Sequence, residues 1–147
     1  MNLYIYNLAV DLWLEYIQFI MKDLGKEGGI EKCRNIFEEA LNSCALHVSK
    51  GILLWGSYKD FEAGIFGMDN SNEQEERYKS ICRRQLGIPL IGMEENYLAI
   101  KDLVELDQTT EGNYKDALTK LKSILPFEKK LVNKTHSIIF YLFTIIN

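Results

Sequence analysis

The feature that most constrains the fold of this chain is an aromatic pattern that occurs twice, 42 residues apart. Side chains three positions apart lie on one face of a helix, and large aromatic rings there fill the space between paired helices. The pattern therefore predicts two equivalent helices, each packed through the same face. The aligned residues are Trp13 with Trp55, Tyr16 with Tyr58, and Phe19 with Phe61.

A second segment follows each aromatic helix and also repeats. Residues 33–41 align with residues 78–86 at an offset of 45, and Tyr97 follows Tyr58 by 39. A helical hairpin cannot bury both of its apolar stripes alone, so such hairpins stack and share a core. The period of about 40 residues predicts one hairpin per repeat. The expected repeats span about 8–45, 50–87 and 91–125.

Local signals place the ends of six helices and the start of a seventh. Apolar spacing predicts the first helix from about Leu8 to Asp23. Ser49 is expected to cap the third helix, and Ser71 with Gln74 forms a capping box that opens the fourth. Pro126 suits the first turn of a seventh helix, because its missing N–H costs nothing there.

Two glycines lie inside the predicted third helix, at positions 56 and 64. Each costs up to about 1 kcal/mol relative to alanine in a helix interior. Because Gly64 lies one turn past Phe61 on the packing side, we expect a neighbouring helix to approach closely at Gly64.

The repeat also predicts which side chains form the core between stacked hairpins. They are aromatic and aliphatic residues at matching positions in each helix, together with the small–large step late in the second helix. The predicted core residues are Trp13, Tyr16, Phe37, Ala40, Leu41, Trp55, Tyr58, Phe61, Ile81, Leu86, Tyr97, Tyr114 and Leu118.

These residues resemble the half-a-tetratricopeptide (HAT) repeat of RNA-processing proteins. The first helix has the order Trp-x-x-Tyr-x-x-Phe, and residues 34–41 read Arg-x-Ile-Phe-Glu-x-Ala-Leu. Residues 11–65, with residues 83–90, are most similar to the N-terminal HAT region of the family of squamous cell carcinoma antigen recognised by T cells 3. That family recycles spliceosomal small nuclear ribonucleoproteins in the nucleus. The resemblance extends over about residues 11–131.

The resemblance implies an all-α fold, a right-handed α-solenoid of antiparallel helical hairpins over residues 1–131. Residues 132–147 form a divergent apolar tail that does not resemble the family. The implied function is a non-catalytic scaffold in nuclear RNA processing, without a cofactor. Its implied partners are spliceosomal small nuclear ribonucleoprotein components and ubiquitin-specific proteases, with RNA reached only indirectly. Self-association is a further expected interaction, because the tail is apolar and uncharged over residues 137–146.

Three alternatives remain open at this stage. A HAT scaffold of messenger RNA 3′-end cleavage, or of another pre-mRNA processing complex, has the same repeat. Direct RNA binding is disfavoured by the net charge of −4, since 17 Lys and Arg stand against 21 Asp and Glu. Membrane association through residues 135–147 is the third alternative, although that segment is shorter than the roughly 20 residues of a bilayer span.

Candidate chemical sites are few. His47 and His136 have no Cys, Ser or carboxylate at a spacing typical of catalysis. The three cysteines lack a Cys-x-x-Cys spacing, so neither a zinc site nor a redox motif is indicated. We therefore predict no catalytic, cofactor or metal residues. Arg83 and Arg84 remain as a candidate partner surface, although positive charge near a helix C-terminus also favours the helix itself.

Overall fold

A computed structural model of the chain describes the backbone of residues 3–146 and the side chains of residues 9–127. Within the described backbone all regular structure is helical and no strand occurs, which confirms the all-α prediction. The helices are α1 (Leu3–Met21), α2 (Gly29–Cys44), α3 (Gly51–Met68), α4 (Asn72–Leu86), α5 (Met93–Lys101) and α6 (Gln108–Ile146).

The first four helices pack as two consecutive pairs, whereas α5 and α6 each pack mainly against α4. Helix α1 packs against α2, and α3 against α4, while α1 and α2 both contact α3 and so join the first pair to the second. One hydrophobic cluster unites α1 to α4 and contains the fully buried Phe37 and Leu54. A smaller cluster around Cys82 and Leu86 lies where α4 meets α5 and α6.

The start of α4 follows the sequence prediction in part. Ser71 is the N-cap, and its Oγ accepts a hydrogen bond from the Gln74 N–H at 3.3 Å. The Gln74 side chain does not return to the Ser71 backbone, as a full capping box requires. It instead donates to Glu62 on α3 at 3.4 Å, which ties the helix end to its neighbour.

The predicted cap of α3 is wrong. The residue before α3 is Lys50, and no side chain caps the helix there. The imidazole of His47 accounts for the difference, because its Nδ1 accepts the Lys50 N–H at 3.1 Å and lies 3.3 Å from the Ser49 Oγ. The buried His47 therefore organises the turn between α2 and α3.

The seventh helix predicted at Pro126 is also wrong, because α6 continues through that residue to Ile146. A proline inside a helix removes one backbone hydrogen bond, whereas the flanking Leu, Lys and Glu residues favour helix. The backbone thus shows no break at 131–132, where the tail was predicted to begin. The packing of the tail's side chains lies outside the described residues.

The two helical glycines of α3 both face open space. A Cβ atom built on Gly56 or Gly64 meets no neighbouring atom within 4 Å, so the predicted helix contact at Gly64 is wrong. Phe61 is buried, but the position three residues later points away from the neighbouring helices.

Gly64→Ala is accordingly expected to raise the free energy of unfolding by about 0.5–1 kcal/mol, because alanine favours helix and restricts the unfolded chain. Urea denaturation curves measure this change. Gly51→Ala in the same helix is the control, since its Cβ would lie 2.8 Å from the Ala45 carbonyl oxygen and 2.9 Å from Leu90. That variant should be destabilised, and equal effects of the two substitutions would contradict the packing.

Candidate interaction surface

Two charged clusters connect α2 to the helix pair formed by α3 and α4. We call the first the inner cluster; it consists of Arg34, Glu62 and Gln74. The Arg34 guanidinium donates to both Glu62 oxygens, from Nε at 2.8 Å and from Nη2 at 3.0 Å. Nη2 also donates to the Gln74 Oε1 at 2.9 Å. The inner cluster thus joins one residue from each of three helices.

The inner cluster is largely removed from water. The side chain of Glu62 is 2% exposed and that of Arg34 is 12% exposed. The hydrogen bonds to Glu62 raise the pKa of Arg34, against an opposing effect of burial. A buried ion pair with this bidentate geometry fixes the orientation of the helices that carry it.

The outer cluster contains Glu38, Tyr58 and Arg84, with Trp55 beneath it. Arg84 donates to both oxygens of Glu38, at 2.7 and 2.8 Å, and the Tyr58 hydroxyl donates to the same carboxylate at 3.1 Å. The guanidinium carbon of Arg84 lies 5.4 Å from the centre of the Trp55 ring. Burial, with the charge of Glu38, raises the pKa of Tyr58.

The Arg84 hydrogen bonds hold the pKa of Glu38 below its ordinary value of 4.5, against an opposing effect of burial. Glu38→Gln is therefore expected to lose about 0.5–1 kcal/mol of stability at neutral pH. Because a lowered pKa stabilises the fold above the unfolded value, this difference should shrink as pH falls through the folded pKa. Melting temperatures of both proteins from about pH 7 to about pH 3 measure it. The control Glu39→Gln changes an exposed neighbour and should leave the melting temperature at neutral pH unchanged.

The two clusters border an open groove of about 560 Å³, lined by residues of α2, α3 and α4. Tyr58 and Ile81 supply its apolar surface, and Glu73 with Glu76 place carboxylates along α4. Arg77 also lines the groove, where its guanidinium lies 3.0 Å from Glu73. The groove therefore combines apolar and charged groups, as protein-binding surfaces do.

The predicted partner surface on α4 is engaged within the chain. Arg84 forms the outer cluster, and the Arg83 Nη1 lies 3.4 Å from the Glu76 Oε2. The sequence analysis did not predict the inner cluster. The one sign of it in the sequence is Glu62, which lies beside the apolar stripe that contains Phe61 and Ile65. The surface available to a partner is consequently the groove rather than the two arginines alone.

The predicted core residues fall into three groups by exposure. Tyr16 is 44% exposed, so its assignment to the core is wrong. The half-buried residues are Trp13, Tyr97, Tyr114 and Leu118. The buried residues are Phe37, Ala40, Leu41, Trp55, Tyr58, Phe61, Ile81 and Leu86.

Tyr16 belongs to a stripe on α1 that no other described element covers. We call this stripe the α1 outer face; it consists of Leu12, Tyr16 and Phe19, which are 55%, 44% and 63% exposed. The opposite side of α1 is buried through Ile17 and Ile20. Helix α1 is thus apolar on two sides, which is typical of a helix buried between others.

Other chemistry is sparse in the described part of the chain. No group of three His, Cys, Asp or Glu residues is placed to hold a metal ion there. Cys33, Cys44 and Cys82 are buried free thiols, and burial raises the pKa of Cys33 to about 11, which keeps it protonated and unreactive. None of the described helices is both long enough and apolar enough to span a bilayer. His136 lies outside the described side chains.

Comparison with known proteins gives a consistent result. The family profile described as PRP39 N-terminal HAT repeat matches residues 2–102. "Spliceosome associated factor 3, U4/U6 recycling protein" is 38% identical in Pongo abelii and 37% in Homo sapiens, each over 127 residues. Its Danio rerio counterpart is 35% identical over 109 residues. The first two alignments cover 85% of this chain and 13% of the relatives' length. The resemblance to a spliceosome-recycling family is confirmed.

Proposed function

Because this chain belongs to the family of the PRP39 N-terminal HAT repeat, we propose that it is a non-catalytic scaffold that binds other proteins during pre-mRNA splicing. The observation that carries this proposal is the groove on the helical repeat. Its two borders are fixed by the bidentate ion pairs of Arg34 with Glu62 and of Arg84 with Glu38. Such a surface is preorganised for a partner.

The more specific part of the proposal is assembly or recycling of small nuclear ribonucleoproteins in the nucleus. The relatives are named as U4/U6 recycling proteins, and this chain corresponds to 13% of their length. The proposed partners are protein components of spliceosomal small nuclear ribonucleoproteins, with ubiquitin-specific proteases as a second partner class. The chain then reaches RNA through those proteins and needs neither a cofactor nor a membrane.

The groove favours a protein partner over RNA for an electrostatic reason. Phosphates bind where Lys and Arg are clustered and unpaired. Here Glu73 and Glu76 lie along the groove, and Arg77 and Arg84 already bind carboxylates. A phosphate backbone in the groove would have to displace or repel these groups. A polypeptide with basic and apolar side chains meets a complementary surface.

Affinity capture from nuclear extract tests the function. The immobilised chain should enrich spliceosomal small nuclear ribonucleoprotein proteins, and their recovery should survive ribonuclease treatment. The double variant Glu73→Lys/Glu76→Lys should reduce this recovery, because it reverses the charge along the groove. The control Glu94→Lys/Glu95→Lys changes two exposed glutamates at the start of α5 and should retain it.

The alternatives give different results in the same experiment. Enrichment of 3′-end cleavage proteins in place of splicing proteins would indicate the other class of HAT scaffold. Recovery that disappears with ribonuclease, with retention of RNA that falls steeply with salt, would indicate direct RNA binding.

A further inference from the structure

The chain contains the dipeptide Asn-Ser twice, at residues 42–43 and 70–71. Both asparagines are exposed, but their backbones differ. Asn42 lies inside α2, whereas Asn70 lies in the short segment between α3 and α4. The side-chain amide of an asparagine that precedes a small residue can be attacked by the main-chain nitrogen of that residue, provided that the two groups can meet. The structure therefore separates two identical sequences by the access of this nitrogen to the amide.

The main-chain nitrogen of Ser43 is held by its helix. It lies in the last turn of α2 (Gly29–Cys44), where each N–H donates to the carbonyl oxygen four residues earlier. The ladder continues past it, since the Ala45 N–H donates to the Leu41 carbonyl at 2.8 Å. Reaction at Asn42 thus requires the end of α2 to open first, and the buried Leu41 and Cys44 oppose that opening.

The nitrogen of Ser71 is not held in this way. The backbone is extended on both sides of Asn70, with φ −125° and ψ 91° at Asp69 and φ −86° and ψ 152° at Ser71. Ser71 makes its contacts through its hydroxyl, which accepts the Gln74 N–H and donates to Asp69, and through its carbonyl. Within the described part of the chain neither the Ser71 N–H nor the Asn70 side chain forms a hydrogen bond. The Asn70 amide can therefore turn towards the Ser71 nitrogen while the helices stay folded.

We propose that Asn70 is a site of spontaneous deamidation in the folded protein, with water as the only co-reactant. The Ser71 nitrogen forms a bond to Cγ of Asn70, and its proton passes through water to the amide group that leaves as ammonia. Water then adds to one of the two carbonyl carbons of the resulting five-membered imide. Opening at the side-chain carbon gives aspartate, and opening at the main-chain carbon gives isoaspartate. No group is oxidised or reduced in either step.

The two products differ in their effect on the start of α4. Aspartate adds a negative charge beside a helix N-terminus, where the helix dipole favours it. Isoaspartate instead adds a main-chain carbon directly before the N-cap Ser71, which displaces its hydroxyl from the Gln74 N–H and weakens the cap. Asn72 and Glu73 line the groove at this end, so isoaspartate loosens one border of the groove. The reaction itself is independent of the proposed splicing function.

Peptide mapping of the full purified chain tests the proposal. The folded chain and a sample unfolded in guanidinium chloride are incubated in mildly alkaline buffer, digested with trypsin and followed by mass spectrometry. Residues 60–77 and residues 35–50 are the tryptic peptides that carry the two Asn-Ser sites. In the folded chain Asn70 should convert about tenfold faster than Asn42 or more, because reaction at Asn42 requires the helix to open. In the unfolded sample the two sites should convert at similar rates.

Two glutamine variants locate the reaction. Asn70→Gln should abolish the mass gain of the peptide of residues 60–77, because glutamine must close a larger ring. Asn72→Gln, at the first residue of α4, is the control and should leave the mass gain unchanged. Conversion of Asn70 no faster than that of Asn42 in the folded chain overturns the proposal, and so does a mass gain that persists in Asn70→Gln.

The effect on α4 is measured separately from the reaction. An isoaspartyl methyltransferase adds a methyl group to isoaspartate and so quantifies that product. The incubated chain rich in isoaspartate should melt at a lower temperature than Asn70→Asp, which has the same charge on an ordinary backbone. Equal melting temperatures would contradict the weakened cap. Neither measurement depends on the capture of splicing proteins, so failure of the proposed function leaves both results unchanged.

Discussion

Replacing Glu62 with alanine is expected to lower the free energy of unfolding by about 3–5 kcal/mol. The substitution removes the carboxylate from a side chain that is 2% exposed and leaves the Arg34 guanidinium, 12% exposed, without its bidentate partner. The Arg34 guanidinium then keeps its desolvation cost, and of its two carboxylate partners only the exposed Glu31, 3.3 Å from its Nη1, remains to offset it. Urea denaturation followed by circular dichroism measures the change.

A matched exposed pair provides the control for this effect. Glu73 pairs with Arg77 at 3.0 Å, but their side chains are 77% and 43% exposed. Glu73→Ala should therefore cost no more than about 1 kcal/mol, as is usual for surface ion pairs. A second comparison replaces both inner-cluster charges, as Arg34→Met/Glu62→Leu, which should recover much of the stability lost in Glu62→Ala. A loss in Glu62→Ala no larger than in Glu73→Ala would show that the inner cluster is hydrated.

The inner cluster also shows where sequence reasoning reached its limit. Apolar periodicity identified α3 through residues such as Leu54 and Ile65, because burial selects apolar side chains at helical spacing. Glu62 lies next to this stripe, and a charged residue there is usually solvated. Its burial depends on Arg34, which is 28 positions away. No local spacing rule pairs residues of separate repeats, so only the assembled helices show the ion pair.

Tyr16 illustrates a second limit of the repeat pattern. The alignment with Tyr58 correctly places both on the same face of equivalent helices. A repeat specifies which face is apolar but does not specify whether a neighbour covers it. Tyr58 has α2 beside it, and Tyr16 has no described element there. Tyr16 is therefore 44% exposed and Tyr58 only 4%, although their sequence signals are the same.

Errors at helix ends have a different physical origin. The predicted cap at Ser49 failed because the buried His47 accepts the Lys50 N–H instead. The predicted helix start at Pro126 failed because one lost hydrogen bond does not outweigh a long helix-favouring sequence on both sides. Each local rule gave a correct preference, and a competing contact or neighbouring sequence decided the outcome.

Trp55→Ala is the second substitution for which we expect a loss of about 3–5 kcal/mol. The indole is 2% exposed and belongs to the cluster that unites α1 to α4, so its removal leaves a cavity between the first two repeats. The same substitution removes the ring beneath Arg84 and so weakens the outer cluster as well. Thermal and urea unfolding of the purified variant measure the combined loss.

Two further variants serve as comparisons for Trp55→Ala. The Trp55 Nε1 is buried and makes no hydrogen bond within the described residues, so Trp55→Phe forfeits no such bond and should cost clearly less than Trp55→Ala. Trp13 occupies the equivalent position of the first repeat but is half-buried, so Trp13→Ala should also cost less. Equal destabilisation by Trp13→Ala and Trp55→Ala would contradict the difference in burial between the two rings.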